Sequence, residues 1–389
     1  MLLTNRVLTH FILIIIIITF IIGLWPLSLF QQNEVQWLAN KPGIEIHRSG
    51  IENKYASRGI VYSEDPFLFP QKPDSEIMSI SLEVYLQSKK EPNSNLGMII
   101  AFNEKHKPPS LLLAQWKKSL VLKTINTDLT SEKIYKEVGL SNALPKDSIQ
   151  FISITSGNDG TKIYLNGEIK KHFPSFYIVS AKKPFSGKMI LGNSASGNVP
   201  WAGNIFGIGI YEDELAPELI NQHYQSWLLN DVSKLTSEDN IIALYTFEEG
   251  DGVIIENRIS SKQHLIIPER FIILEKTMFE LPWTNFKFNE SFLSDFIINL
   301  VGFIPLGIMF SLYFNRILKI NGIRLFLITL IIGGSISFLI ELIQILIPQR
   351  NSSLSDLLLN IIGLCTGFLL VQFFFKFKKI EFVHNFLKI

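Results

Sequence analysis

The chain has 389 residues, with 36 Lys and Arg against 35 Asp and Glu and a formal net charge of +1, so it carries no basic footprint for nucleic acid. Its single cysteine, Cys365, excludes an intramolecular disulfide framework. Hydrophobic residues make up 47% of the whole, yet Phe and long Ile runs gather at the two ends while charge gathers in the middle, so the average describes neither part.

The first element is residues 11–30, FILIIIIITFIIGLWPLSLF, a run without a charge. At about 1.5 Å rise per residue it is long enough for a bilayer core of roughly 30 Å. Arg6 precedes it, which raises a secretory signal peptide as the competing reading. The apolar run is too long for an h-region, however, and neither an A-x-A-like site nor a lipobox cysteine follows. It reads as an uncleaved signal anchor behind a cytoplasmic stretch, 1–10.

Residues 31–280 are polar, turn-rich and dense in short β-type runs. FISITSG-NDG-TKIYLNGEIKKHF (151–173) predicts strands around Asn158-Asp159-Gly160, with a second tight turn at Asn166-Gly167. Residues 188–224 add a strand, a Gly/Asn-rich loop, another strand and a short helix, and LYTFEEGDG (244–252) adds a strand and an acidic turn. Many short strands between turn signals predict a β sandwich.

The Tyr164-x-Asn166-Gly167 hairpin, the run LGN…WAGNIFGIGIY…L (191–215) and the FEEGDG turn (247–252) make this region resemble the laminin G/concanavalin A-like jelly rolls. The resemblance implies carbohydrate binding, in some members through a calcium ion on the rim. Trp116 and Trp201 are the candidates to stack on sugar rings, against the alternative that the sandwich core consumes them. Glu212-Asp213-Glu214 falls where strand gives way to helix and reads as capping. Glycosidases of this fold carry strand-borne carboxylates in an E-x-D-x-(x)-E pattern. No strand here has it, so the domain reads as a binder rather than a hydrolase.

Three further spans are expected at 292–314, 325–347 and 354–375. Arg316, Lys319 and Arg324 lie between the second and third, and Lys376, Lys378 and Lys379 follow the fourth, whereas the opposite turn carries only Arg350. The positive-inside rule then puts both termini and the tail 376–389 in the cytoplasm and residues 31–290 outside. The fold class is therefore mixed: a four-span membrane α-helical bundle with an extracytoplasmic all-β jelly-roll sandwich between spans one and two.

Two stretches repeat inside these spans, SDFIINLVG (294–302) and SDLLLNIIG (355–363). Helical spacing puts Asp356, Asn360, Gly363 and Gly367 on one face of the fourth span. It puts Asp295, Asn299 and Gly302 on one face of the second, with Pro305 slightly off it and Gly307 beyond. In the third span Gly334, Ser337 and Glu341 share a face, with Gln344 close by. Small residues permit close helix approach and amides bond across the seam, so these stripes are expected to face one another. Asp295, Asn299, Glu341, Gln344, Arg350, Asp356 and Asn360 would then form a polar layer near the outer leaflet, and an intramembrane ionisable cluster is by default a functional hypothesis.

SDFIINLVGFIPLG (294–307), SFLIELIQILIPQR (337–350) and SDLLLNIIGLCTG (355–367) resemble the VanZ-like family over residues 281–375. Its pattern is Asp-x3-Asn-x3-Phe-x-Pro-Leu-Gly, then Ile-Glu-x2-Gln with a downstream Arg, then Asp-x3-Asn-x2-Gly. The resemblance implies a role in the cell envelope of bacteria, and its founding member is associated with teicoplanin resistance. The first reading is a binder: the jelly roll takes a glycan or glycosylated partner, and the bundle takes a lipid or lipid-linked cell-wall intermediate. The alternatives are an acid/base enzyme using Glu341 or Asp356, and a small transporter or flippase subunit that would need to oligomerise. No cofactor beyond a jelly-roll calcium is expected. The seven His residues are scattered away from the membrane constellation, which speaks against zinc.

Overall fold

The computed structural model describes residues 5–25, 31–47, 58–69, 78–90, 96–126, 133–179, 186–238, 240–276, 278–279, 281, 290–348, 350 and 352–386. The elements in chain order begin with α1 (Asn5–Leu24), β1 (Val35–Trp37), β2 (Ile44–Ile46), β3 (Val61–Ser63), β4 (Phe67–Leu68), β5 (Ile80–Ser88), β6 (Gly97–Asn103), β7 (Leu111–Trp116) and β8 (Ser119–Ile125). There follow β9 (Tyr135–Leu140), β10 (Ile149–Gly157), β11 (Gly160–Leu165), β12 (Glu168–Phe173), β13 (Ser186–Leu191), β14 (Gly203–Tyr211), α2 (Pro217–Leu229) and β15 (Ile241–Tyr245). The last are β16 (Ile254–Ile255), β17 (Leu265–Ile266), α3 (Glu290–Ile317), α4 (Gly322–Gln344) and α5 (Leu354–Phe386). Two compact units result, one of residues 31–275 and one of residues 1–30 with 276–389.

The first unit is a sandwich of two antiparallel sheets. One runs β1-β2-β14-β5-β10-β11-β12 with β15 also on β14, and the other runs β16-β17-β3-β13-β6-β7-β8-β9 with β4 also on β13. Period-two alternation decides which side chains enter the core. Leu82, Val84 and Leu86 of β5 join Ile152, Ile154, Ile208 and Ile210 between the sheets, against Ile100, Phe102, Leu113, Leu122 and Met189. The intervening residues of the same strands, among them Tyr85, Phe151 and Tyr211, form a second apolar cluster with Ile220 and Trp227 of α2. This explains the Gly-Ile-Gly-Ile run of β14, since a β-carbon on Gly207 would overlap the Trp227 ring. Both expected hairpins are present. Gly157 pairs Gly160 across the first turn, and Asn166 and Gly167 adopt φ of 53° and 81° in the second, where such values suit Asn and Gly.

The second unit has four helices long and apolar enough to cross a membrane, with spans Arg6–Leu24, Phe296–Ile317, Gly322–Gln344 and Leu354–Lys376. The first ends earlier than the expected residue 30: Trp25 precedes Pro26, and the residue before a proline is driven out of helical geometry. Residues 26–30 lie outside the described residues. The third begins and ends earlier than 325–347, with residues 345–347 in turns. α3 and α5 pack closely and in parallel, because β-carbons on Gly363 and Gly367 would overlap the Leu300 and Ile304 carbonyl oxygens, and one on Gly307 would overlap that of Leu364. α4 runs the other way along α5, with Ser337 opposite Asn360 and Gly333 against the Leu364 side chain. Phe303, Leu306, Phe310, Leu325, Ile340 and Leu364 fill the centre, joined by Ile12 and Leu24 of α1.

Candidate functional site

Polar side chains gather at the end of the bundle where α4 stops and α5 starts. Ser353 caps α5: its hydroxyl accepts the Ser355 N–H at 3.1 Å and its carbonyl accepts the Leu357 N–H at 3.3 Å. Its own N–H donates to Glu341 Oε2 at 2.9 Å. The Glu341 side chain, 1% exposed, therefore lies at the N-terminus of α5, where free N–H groups and the helix dipole favour an anion. The charged groups acting on it are Asp356, in the first turn of α5, and Arg350 in the connecting turn, both half-buried.

The C-terminus of α4 is tied down by cations and amides. Lys276 Nζ donates to the carbonyls of Gln344 at 3.0 Å, Ile345 at 2.9 Å and Ile347 at 2.5 Å, at the end of α4 and in the turn beyond it, where the Gln344 and Ile347 carbonyls also accept the Ile347 and Arg350 N–H groups. Burial pulls its ammonium down to about 8. Gln344 Nε2 donates to the Gly23 carbonyl of α1 at 2.7 Å, and Arg350 Nη2 donates to the same oxygen at 3.3 Å. Arg350 Nε is buried with no hydrogen-bond partner among the described residues. Deeper in the seam, Asn360 Nδ2 donates to Ser337 Oγ at 2.9 Å.

The structure thus brings Glu341, Gln344, Arg350, Asp356 and Asn360 to one end of the bundle. Asn299 is half-buried on α3, and the side chain of Asp295 lies outside the described residues. Gly307, Ser337, Gly363 and Gly367 lie in helix contacts, but three expected packing positions do not. Nothing among the described residues comes within 4 Å of a β-carbon on Gly302 or Gly334, and Pro305 faces outward. The buried stripe of α3 continues from Asn299 through Phe303 and Leu306, one residue beyond the small ones, and on α4 Gly333 rather than Gly334 meets α5. Sequence reading missed Lys276, Gly23 and Ser353. A lysine just ahead of a span, on the face poor in cations, was the available signal for the first, and a serine opening an apolar helix was the signal for the last.

In the sandwich the two tryptophans separate. Trp201 is 1% exposed with its Nε1 donating to Gln115 Oε1 at 2.7 Å, so it belongs to the core and offers no face to a sugar. Trp116, at the end of β7, is exposed, with the Lys117 ammonium 4.9 Å from its ring centre. The acidic run 212–214 does not cap α2, whose N-cap Ala216 has no side-chain bond. Glu214 pairs with Lys162 at 2.8 Å, and Asp213 accepts from Asn240 at 3.2 Å, because the helix starts at Pro217, too late for them. In the FEEGDG turn Glu248 and Glu249 face Arg258, at 3.2 and 3.8 Å. Among the described residues no three His, Cys, Asp or Glu side chains are grouped as metal ligands.

A buried cluster that no local motif announces lies under α2. Glu83 of β5, 0% exposed, accepts from Tyr211 Oη at 3.1 Å and pairs with His223 Nδ1 at 3.0 Å. Glu238 stands 3.8 Å from the other imidazole nitrogen. Burial pulls the His223 imidazolium down, but the Glu83 bond and charge, with Glu238 behind them, outweigh it and leave it raised.

Residues 241–375 match the family model described as VanZ/LLP1, reaching back from the helices into β15–β17. None of the curated proteins compared with the chain matches it. Among solved structures, the binding domain of botulinum neurotoxin DC in complex with SialylT is 18% identical at a TM-score of 0.36, covering 50% of this chain and 45% of that one. A botulinum neurotoxin type C structure, concerned with cell entry dependent upon two ganglioside molecules, is 18% identical at 0.38, covering 50% and 45%. The botulinum neurotoxin serotype G binding domain is 16% identical at 0.35, covering 58% and 49%. The chain spans less than half the length of each, and likenesses this distant carry no ligand to it. With four apolar helices and the family match, this is a multi-pass membrane protein that is VanZ-like in its C-terminal part, with a β sandwich set between its first and second spans.

Proposed function

We propose that the polar end of the bundle binds the head group of a lipid or lipid-linked envelope intermediate at the outer leaflet of the cytoplasmic membrane, and that the sandwich binds a glycan or glycosylated partner. The observation that carries this reading is Glu341: a carboxyl group 1% exposed inside a membrane helix, held by one backbone N–H, with half-buried Arg350 and Asp356 beside it. A charged group at such a place costs several kcal/mol, about 2.5–3.5 at mid-membrane and less near an interface, unless a partner offsets it. Polar bonds suffice to join helices, as Asn360 and Ser337 do; an acid, an arginine whose buried Nε has no partner among the described residues and a second acid exceed that need. Arg350 is the group suited to a lipid phosphate, through bidentate charge-assisted bonds. The orientation, with both termini cytoplasmic, rests on the Lys and Arg counts in the short flanks. On the sandwich, Trp116 is the exposed aromatic that would stack on a sugar ring. An effect on teicoplanin susceptibility would follow if the bound intermediate is the one the antibiotic recognises.

The test is native mass spectrometry of the full-length protein extracted in detergent, wild type against Glu341→Gln and Asp356→Asn, with melting recorded alongside. A lipid or lipid-linked sugar that co-purifies with wild type and is lost from normally melting variants supports the reading. Equal occupancy in all three, or none in any, removes it.

A further inference from the structure

A groove of about 560 Å³ opens between α4 and α5, lined by Leu330, Ile331, Gly334 and Phe338 of the one and Leu357 and Ile361 of the other. Gly334, one of the glycines without a helix neighbour, forms its floor. Along α4 it extends from Leu330 to Leu339, about 14 Å at 1.5 Å per residue. Its upper end meets the polar end of the bundle: Leu357 follows Asp356, Ile361 follows Asn360, and Phe338 is one turn from Glu341.

Two occupants compete for such a groove inside a membrane. A second helix approaches closely where small residues recur four apart. Here the positions four before and four after Gly334 are Leu330 and Phe338, and those around Ser335, the other small lining residue, are Ile331 and Leu339, all bulky, so the two small residues make one short notch and a straight rod about 10 Å wide cannot settle into it. A flexible hydrocarbon chain can pass beside Phe338, one face of which stacks on Phe279 at 5.6 Å, into the notch. We infer that this groove holds the hydrocarbon chain of the lipid whose head group lies at the polar end, so that the protein reads chain and head together. The inference rests on the lipid-binding reading above and adds the chain as a recognised part.

The experiment measures binding of dioleoyl and dihexanoyl phosphatidylglycerol to the full-length protein in detergent by native mass spectrometry, for wild type, Gly334→Leu and Arg350→Gln. A β-carbon at 334 meets nothing within 4 Å among the described residues, so leucine can enter the notch, and it suits a helix better than glycine. The expected result is that Gly334→Leu weakens the long-chain lipid about tenfold, as losing burial of about two methylenes would, and leaves the short-chain lipid unchanged. Should it bind both lipids like wild type, the groove inference falls, even if Arg350→Gln loses both and so upholds the head-group site. Should Arg350→Gln change neither while Gly334→Leu still discriminates between chains, the head-group reading falls and the groove stands alone. A dimer in wild type that Gly334→Leu converts to monomer would make the notch a contact between copies and overturn the inference.

Discussion

Each unit of this chain buries a glutamate, and the two are treated differently. Glu83, on the central strand β5, is closed in from every side: a tyrosine hydroxyl, an imidazole and the cover of α2 leave it no route to solvent. Glu341 is as deeply buried, yet its bonded partner is a backbone N–H at the lip of a turn, and the charges beside it are half-exposed. A network folded in on Glu83 fixes a fold, although His223 Nε2, 3.8 Å from Glu238, has no hydrogen-bond partner among the described residues. An open one at the edge of a membrane unit is where the proposed head group would bind.

The comparison breaks most easily through stability. Glu83→Ala strips Tyr211 and His223 of their acceptor and should destabilise the sandwich by about 3–5 kcal/mol, seen as a large fall in melting temperature of the full-length protein, whereas Glu341→Gln keeps an acceptor for Ser353 and should stay within about 1 kcal/mol. Equal losses would erase the distinction. The tryptophans sharpen it from another side. Trp201→Ala should lose about 3–5 kcal/mol, and Trp116→Ala about 0.5 or less while abolishing whatever saccharide binding a glycan array detects. Among the helices, Gly363→Leu drives a side chain into the Leu300 carbonyl and should cost about 3 kcal/mol or prevent folding, but Gly302→Leu meets open space and should be nearly silent by thermal melting in nanodiscs.

The smallest effect is a pH dependence. His223 titrates higher folded than its ordinary 6.5, so its contribution is fully present below about pH 6.5 and lost as pH rises through the folded value. The wild-type protein should melt lower as pH rises over that window and Glu83→Gln should respond less, a difference read from melting temperatures across the pH series.

Much of this arrangement was legible in the residues. The four spans follow from apolar length alone, and the hairpins follow from Asn-Asp-Gly and Asn-Gly, because these signals are local. Of the twin Ser-Asp-x3-Asn stretches the second, with Asp356 and Asn360, marked the polar end because acids stand out in hydrocarbon, while the Asp295 side chain of the first lies outside the described residues. The phase of a helix face was harder. Gly334 and Gly333 are adjacent and equally small, and only the position of Leu364 on the neighbouring helix decides which one packs. Glu83 and His223 lie 140 positions apart, and the β-sheet register that unites them is set by the whole sandwich. The acidic run 212–214 misled for a related reason: its spacing suits a cap, but Pro217 sets the helix start beyond its reach.

The most direct measurement is lipid occupancy of the full-length protein after gentle extraction, comparing Glu341→Gln with Glu83→Gln, each beside its melting temperature. The account predicts that Glu341→Gln melts like wild type and loses its lipid, and that Glu83→Gln melts lower and keeps it. Wild-type lipid occupancy in a folded Glu341→Gln protein would contradict it.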